Sequence, residues 1–248
     1  EIGVQILLAE DNATNQVVAT RMLATFGLSA HVVDDGVAAV SSYAEKKHGL
    51  VLMDIMMPEM DGIAATKAIR RMSRSQSQPY ILALTANALG GDEETCRNAG
   101  MNDFLAKPFT RKSLQEALQR FVIAQRPTAP REIFIEAPAV SASAPPRFDS
   151  NAYGQLEAAI GEDGARAVLE TFQKDSAQRL KCIMSLAASG NGTGVVRDAH
   201  ALKSSAASLG FLQLSAVALE VEKTAGGAGA SELRDMAARL EVSLNDIS

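Results

Sequence analysis

The 248 residues are 47% hydrophobic and 21% charged, the composition of a folded protein with one large or two ordinary domains. A formal net charge of −5 gives no basic surface for a phosphate backbone, so the composition disfavours nucleic acid as a partner. Cys96 and Cys182 lie far apart and lack disulfide or metal spacing, which indicates reduced cytoplasmic thiols. No apolar run approaches the roughly 18 residues of a membrane span, so we expect no direct membrane contact by this segment.

The first half of the chain, assigned here to one domain at residues 1–124, alternates short apolar runs with amphipathic stretches. The apolar runs, bounded by turn residues, predict five strands near residues 4–9, 29–33, 50–54, 80–84 and 103–106. The stretches between them carry apolar residues at helical spacing. This alternation predicts an α/β fold with a doubly wound, five-stranded parallel sheet and right-handed connections.

Polar residues follow four of the predicted strands, and they are Glu10, Asp11, Asp54, Thr85 and Lys107. Each one taken singly is typical of a solvated loop. The carboxyl ends of parallel strands meet at one edge of a sheet, however, so together these residues predict a site.

The residue types of this site favour phosphoryl chemistry. Three clustered carboxylates need a cation or protons to offset their repulsion, and oxygen ligands without His or Cys favour Mg²⁺ over zinc. A carboxylate such as Asp54 can attack phosphorus and form an aspartyl phosphate. Lys107 can pair with phosphoryl oxygens, and the Thr85 hydroxyl can donate a hydrogen bond to one.

Four sequence blocks resemble the motifs of response-regulator receiver domains: Leu-Ala-Glu-Asp-Asn, Met-Asp-Ile-Met-Met-Pro-Glu-Met-Asp-Gly, Ala-Leu-Thr-Ala-Asn and Leu-Ala-Lys-Pro-Phe. The resemblance covers roughly residues 3–124 and implies a flavodoxin-like sheet of order 2-1-3-4-5. It implies Asp54 as phosphoacceptor, with Thr85 and Lys107 as phosphate contacts. It also implies a Mg²⁺ site made by Glu10, Asp11, Asp54 and the carbonyl of Met56.

Phe104, three residues before Lys107, matches the aromatic switch position of that family. The resemblance implies that its ring swings inward when Thr85 is drawn to the phosphoryl group. Strand alternation explains an apolar residue here equally well, so a plain core phenylalanine stays an alternative. The Lys107-Pro108 pair resembles the cis peptide of the family.

Residues 125–147 carry five prolines among Ala, Ser and Thr, which predicts a linker. One patch, from Ile133 to Ile135, is too apolar for a free linker and is expected to pack on a domain. Residues 148–248 show helical periodicity only, with a short helix ending near residue 161 and four more near residues 164–188, 193–209, 212–224 and 231–245. Short loops between amphipathic helices predict an all-α four-helix bundle with a short leading helix.

His200 lies beside the core stripe of the third of these helices, on a flanking face that also holds Lys203 and Ser204. Its small neighbours leave a ring nitrogen accessible, and Lys203 can neutralise charge on a phosphohistidine. A lone histidine on a helix face is usually an ordinary surface residue. The pattern by itself therefore leaves the role of His200 open.

The block Ala-His-Ala-Leu-Lys-Ser-Ser-Ala-Ala-Ser-Leu-Gly resembles the active helix of histidine phosphotransfer (HPt) domains, across roughly residues 148–248. The resemblance implies His200 as phosphoacceptor with Lys203 beside it. Ser204 departs from the family, where Gly is common, and its hydroxymethyl group crowds His200 slightly. His31 and His48 match no motif.

Together the two resemblances imply a segment of a hybrid sensor histidine kinase that works in a phosphorelay. Phosphoryl would pass from the histidine of an upstream kinase domain, expected in the same full-length protein, to Asp54, to His200 and then to the receiver domain of a downstream response regulator. No motif of an ATP-binding kinase domain is present, so we do not expect the segment to phosphorylate itself from ATP. The sequence begins at Glu1 rather than Met, so we expect the cytoplasmic part of a longer protein, which can itself be membrane-bound.

Two other classes of protein remain as alternatives. The first is a docking and regulatory module of a hybrid kinase, in which neither domain is phosphorylated. Such a module would not need all of Glu10, Asp11, Asp54, Thr85 and Lys107. A haloacid-dehalogenase-like phosphatase also uses an Asp after a strand, but it requires a second Asp two residues on, where Met56 stands.

Overall fold

The computed structural model of the chain describes residues 4–72, 78–85, 92–125 and 147–247. These residues form two compact units, one built on the sheet and the other containing the C-terminal helices together with helix α1, Ala13–Ala24. The domain boundaries at residues 124 and 148 stay a prediction. The interior of the predicted linker, with its apolar patch at residues 133–135, lies outside the described residues.

The first unit contains a sheet of five parallel strands, formed by β1 Ile6–Ala9, β2 Ala30–Val33, β3 Leu50–Asp54, β4 Tyr80–Thr85 and β5 Asp103–Ala106. Their order is β2-β1-β3-β4-β5, and every neighbouring pair is parallel. Strands β1, β3 and β4 are buried along their whole length, as continuous apolar runs in a doubly wound sheet should be. The predicted flavodoxin-like topology is confirmed.

Four helices of this unit follow strands β2 to β5, and they are α2 Gly36–Lys46, α3 Gly62–Met72, α4 Asp92–Ala99 and α5 Arg111–Ala124. Polar side chains cap three of them. Asp35 accepts a hydrogen bond from the Ala38 amide at the start of α2, and Thr110 accepts one from the Ser113 amide at the start of α5. Asp61 accepts one from the Ala64 amide at 2.7 Å, which fixes the start of α3 just beyond the loop that follows Asp54.

The C-terminal helices are α6 Ser150–Ile160, α7 Glu162–Ala188, α8 Gly192–Ser208, α9 Leu212–Thr224 and α10 Ala230–Asn245. Helix α7 packs against α8 and α10, α9 packs against the same two helices, and the short α6 lies on α7. This is the predicted four-helix bundle with a leading helix. The core stripe predicted for the helix near residues 193–209 is fully buried. Val195, Ala199, Leu202 and Ala206 lie in α8, and Leu209 directly follows it. Within the described ranges, no helix is long and apolar enough to cross a membrane.

Candidate functional site

Asp54 is the last residue of β3, and the backbone around it is tightly held. Asp54 is buried, with only 3% of its surface exposed to solvent. Beyond it, the Ile55 amide donates to the Leu84 carbonyl at 3.4 Å, and the Gly62 amide donates to the Ile55 carbonyl at 2.9 Å. A Cβ atom on Gly62 would collide with the carbonyl oxygen of Asp54, so only glycine lets α3 begin this close to the strand end.

Strand β1 brings two further acids beside Asp54. Ala9 lies opposite Met53 in the register of β1 and β3. Glu10, which follows β1, and Asp54, which ends β3, therefore lie at the same edge of the sheet. One carboxylate oxygen from each of Glu10, Asp11 and Asp54 lies within 4.8 Å of the others. These three residues, called the acidic cluster below, are the ones that the sequence predicts to meet at the strand ends.

Lys107, which follows β5, reaches into the acidic cluster. Its amide donates to the Thr85 carbonyl at 2.7 Å, and this bond fixes the backbone after β5 beside the end of β4. Its Nζ atom donates to Asp54 Oδ2 at 2.7 Å and lies 2.6 Å from Glu10 Oε2. One buried ammonium therefore pairs with two buried carboxylates, and the sequence did not predict these contacts.

The charges of this site are unbalanced. Among these four groups alone, three carboxylates face one ammonium when all are ionised. Burial, reinforced by the Glu10 charge, raises the pKa of Asp54 to about 8, although Lys107 opposes the rise. Burial alone would lower the pKa of Lys107, but the facing carboxylates of Asp54 and Glu10 outweigh it and raise that pKa.

The other predicted residues of this site lie around the cluster. Thr85 ends β4 and is buried, next to Lys107 through the backbone bond just described. The Met56 amide donates to Asp54 Oδ1 at 3.4 Å, which places Met56 at the cluster. Phe104, on β5, is partly buried and packs against the apolar core between sheet and helices. Residues 86–91, which include the end of the Ala-Leu-Thr-Ala-Asn block, lie outside the described ranges.

The second predicted nucleophile, His200, lies in the middle of α8. It is 7% exposed, more buried than a position beside the core stripe predicts. Helix α9 packs against α8 and brings Glu222 against the ring, with Glu222 Oε1 2.7 Å from His200 Nδ1. Within the part of the chain that the structure describes, His200 Nε2 makes no hydrogen bond.

Glu222 also contacts Lys203, so that three polar groups form one network. Lys203 Nζ donates to Glu222 Oε2 at 2.6 Å and lies 3.4 Å from His200 Nδ1. Burial raises the pKa of Glu222, but hydrogen bonds from His200 and Lys203 outweigh burial and hold that pKa below its usual value. The sequence reasoning missed Glu222, because the residue of α9 that faces His200 depends on how each helix is rotated about its axis.

Two family models match the chain. The model for the response regulator receiver domain matches residues 6–119. The model for the Hpt domain matches residues 167–246. The first match contains the whole acidic cluster and Lys107, and the second contains His200, Lys203 and Glu222.

Curated relatives match about half of the chain. The transcription factor SKN7 of Saccharomyces cerevisiae is 39% identical over 48% of this chain and 19% of its own length. The sensor protein GacS of Pseudomonas syringae pv. syringae is 36% identical over 51% of this chain and 14% of its own length. The hybrid signal transduction histidine kinase K of Dictyostelium discoideum is 34% identical over 47% of this chain and 10% of its own length. The chain thus spans less than a fifth of each relative.

Solved structures also resemble about half of the chain. One is the receiver domain of a sensor histidine kinase from Pseudomonas aeruginosa PAO1, solved with a magnesium ion in its active-site cleft. It is 47% identical over 48% of this chain and 98% of its own, with a TM-score of 0.44. Another is the Saccharomyces cerevisiae complex of the phosphotransfer protein Ypd1 with the receiver domain of Ssk1. The matching chain is 29% identical over 49% of this chain and 90% of its own length, with a TM-score of 0.47.

Proposed function

The chain carries a response regulator receiver domain followed by an Hpt domain, and on this premise we propose that it relays a phosphoryl group through Asp54 and His200. These two domain types are components of two-component phosphorelay signalling. In this proposal Asp54 accepts the group from the histidine of a sensor kinase, and His200 passes it to a downstream response regulator.

The observation that carries the proposal is the contact of Lys107 with both Asp54 and Glu10. A docking surface has no use for two buried carboxylates around one buried ammonium, since burying charges is expensive. A phosphoryl group on Asp54 would instead bring negative oxygens to the place where Lys107 already donates. The ammonium is thus ready to stabilise charge that develops on the transferring group.

The transfer has two balanced steps. First, an Asp54 carboxylate oxygen attacks phosphorus, a bond from oxygen to phosphorus forms, and the bond from phosphorus to the donor histidine nitrogen breaks. Second, the lone pair of His200 Nε2 attacks the same phosphorus atom, and the electrons of the breaking bond restore the Asp54 carboxylate. Asp54 must be ionised for the first step, and Lys107 and the Thr85 hydroxyl would then hold the phosphoryl oxygens.

The acidic cluster fits a Mg²⁺ ion. Its donor set is all oxygen, and one carboxylate oxygen from each of its three residues lies within 4.8 Å of the others. Glu10, Asp11, Asp54 and the Met56 carbonyl would hold the ion. When bound, Mg²⁺ supplies positive charge that lowers the repulsion between the cluster and an incoming phosphate.

The partners in this proposal are a histidine kinase domain of the same full-length protein and the receiver domain of a separate response regulator. Relatives that are a sensor protein and a hybrid histidine kinase support the first partner. A cytoplasmic location follows from the same proposal, because kinases draw their phosphoryl group from intracellular nucleotide.

The relay can be tested with labelled acetyl phosphate and Mg²⁺, because phosphohistidine survives base and aspartyl phosphate does not. Wild-type chain should gain both kinds of label, Asp54→Asn should lose both, and His200→Gln should lose the base-stable one. Asp34→Asn and His31→Gln, two exposed residues outside the site, are matched controls. Mixing the Asp54→Asn and His200→Gln chains restores base-stable label only if transfer passes between chains. No label on wild type would refute the relay and favour a docking module.

A further inference from the structure

A groove lies on the helical bundle between α7 and the C-terminal end of α10, with Phe211 beside them. Its cavity volume is about 380 Å³, within the range of ligand pockets in proteins. Its lining is mostly apolar and includes the buried residues Phe172 and Leu244 together with Met184, which is 42% exposed. Among the described residues, the lining does not include His200, so the groove is separate from the phosphoacceptor. An open apolar groove of this kind marks a binding surface.

The described chain resumes after the linker beside this groove. Arg147 Nη2 lies 4.0 Å from Asp246 Oδ2, and Asp246 directly follows Asn245, which lines the groove. The next residue, Phe148, has its ring centroid 5.4 Å from that of Phe211, which also lines the groove. The C-terminal end of the linker therefore lies at one end of the groove.

The apolar patch of the linker, from Ile133 to Ile135, is close enough in sequence to reach back into the groove. Ile135 precedes Arg147 by 12 residues. Twelve residues span about 40 Å when fully extended and about 20 Å as a random coil. The groove follows α7 from Leu169 to Met184, which is about 22 Å of helix at 1.5 Å per residue. The length of the linker thus allows the patch to reach any part of the groove.

The chemistry of the patch matches that of the groove. Residues 131–136 read Arg-Glu-Ile-Phe-Ile-Glu, so three apolar residues stand between charges of both signs. The groove likewise combines an apolar lining with one base and one acid, Lys181 and Glu241. Apolar side chains that enter the groove leave water, which is the main driving force for such binding. Charges of opposite sign beside them add little affinity but fix how the segment lies.

We propose that residues 131–136 bind in the groove between α7 and α10 as a ligand within the same chain. The apolar side chains of Ile133, Phe134 and Ile135 fill the groove, and the flanking charges pair with Lys181 and Glu241. The linker is thereby held on the Hpt domain. This inference does not depend on phosphoryl transfer.

Cleavage of the full chain by chymotrypsin after Phe134, mapped by mass spectrometry, measures how often the segment leaves the groove. Met184→Lys places a charge in the groove. Leu219→Lys is the matched control, because Leu219 is similarly exposed, at 37%, but lies on α9 and does not line the groove. We expect Met184→Lys to be cleaved roughly tenfold faster than wild type, because cleavage follows the population of the unbound segment, and Leu219→Lys to be cleaved as wild type is. Equal rates in all three chains would overturn the inference.

The second measurement starts from the segment and uses the methyl signal of Met184 in the nuclear magnetic resonance spectrum. Phe134→Leu removes an aromatic ring from the groove and should shift this signal, because a nearby ring current changes the field at the methyl group. Thr128→Ala, in the linker but outside the patch, should leave the signal where it is. An unchanged Met184 signal in Phe134→Leu would refute the binding of this segment. So would a dimer in sedimentation that Met184→Lys dissociates without faster cleavage at Phe134, because a second copy would then fill the groove.

Discussion

Replacement of Asp54 by Asn should stabilise the chain in the absence of metal, although most substitutions of buried residues destabilise proteins. A rise of the Asp54 pKa from 3.8 to about 8 bounds the free-energy penalty of its ionised form at about 6 kcal/mol, at about 1.4 kcal/mol per pKa unit. Asp54→Asn removes this penalty together with the 2.7 Å ion pair to Lys107, although the Asn carbonyl oxygen can still accept a hydrogen bond. Lys107 keeps Glu10 as a charged partner at 2.6 Å. We expect a net gain of about 1–3 kcal/mol in the free energy of unfolding.

The gain should depend on pH in a defined direction. The folded-state pKa of Asp54 lies above its ordinary value, so the folded chain holds this proton more tightly than the unfolded chain does. The stability that this proton confers is complete at acidic pH and is lost as the pH rises towards about 8. Asp54→Asn lacks this loss, so its advantage over wild type should grow with pH and level off above about 8.

Hydrogen exchange of the β1 and β3 amides in EDTA measures the stability of the sheet unit separately from that of the helical unit. Asp103→Asn is the matched control, because Asp103 is a buried acid of the same unit that pairs favourably with Arg120 at 2.7 Å. This control should lose about 1–3 kcal/mol. Mg²⁺ at ten times its dissociation constant should stabilise wild type by about 1.4 kcal/mol and Asp54→Asn far less. An Asp54→Asn chain less stable than wild type in EDTA at about pH 8 would refute the argument from charge repulsion.

Three further predictions concern the same site. Mg²⁺ should bind the acidic cluster more tightly as the pH rises to about 8, since the ion competes with the proton on Asp54; a pH-independent affinity in calorimetric titration would contradict this. Lys107→Met leaves Asp54 and Glu10 without their shared ammonium and should cost about 3–5 kcal/mol in EDTA but much less with Mg²⁺, measured by hydrogen exchange. Gly62→Ala should displace the Asp54 carbonyl and reduce acetyl phosphate labelling, whereas Gly154→Ala, whose Cβ meets nothing within 4 Å, should label as wild type does.

The sheet and the acidic cluster could be predicted from the sequence because their signals are local. A continuous apolar run that ends on an acid places that acid at the edge of a parallel sheet, and Glu10 and Asp54 lie where this rule puts them. This rule does not predict in which direction each side chain points. The sequence therefore predicted Lys107 only as a phosphate contact. Its contact with both carboxylates could not be predicted, because that contact depends on how four strands are aligned in the sheet.

The helical unit was harder to predict in detail. Helix α7 begins at Glu162, two residues before the predicted start, because Glu162 and Asp163 in its first turn favour the positive end of the helix dipole. The apolar stripe of α8 was correct, but the stripe leaves open which side chain of the neighbouring helix covers His200. Glu222 and the burial of His200 follow from the rotation of α9, which no single-helix pattern encodes.

The order in which the strands leave the ribosome has a consequence for synthesis of this protein. Glu10 follows the first strand and Asp54 ends the third, whereas the ammonium that contacts both follows the fifth strand, 53 residues after Asp54. A nascent chain that stops short of β5 carries the repulsion of these acids without their counter-charge. We therefore expect truncations before residue 107 to be substrates for proteolysis rather than smaller folded domains.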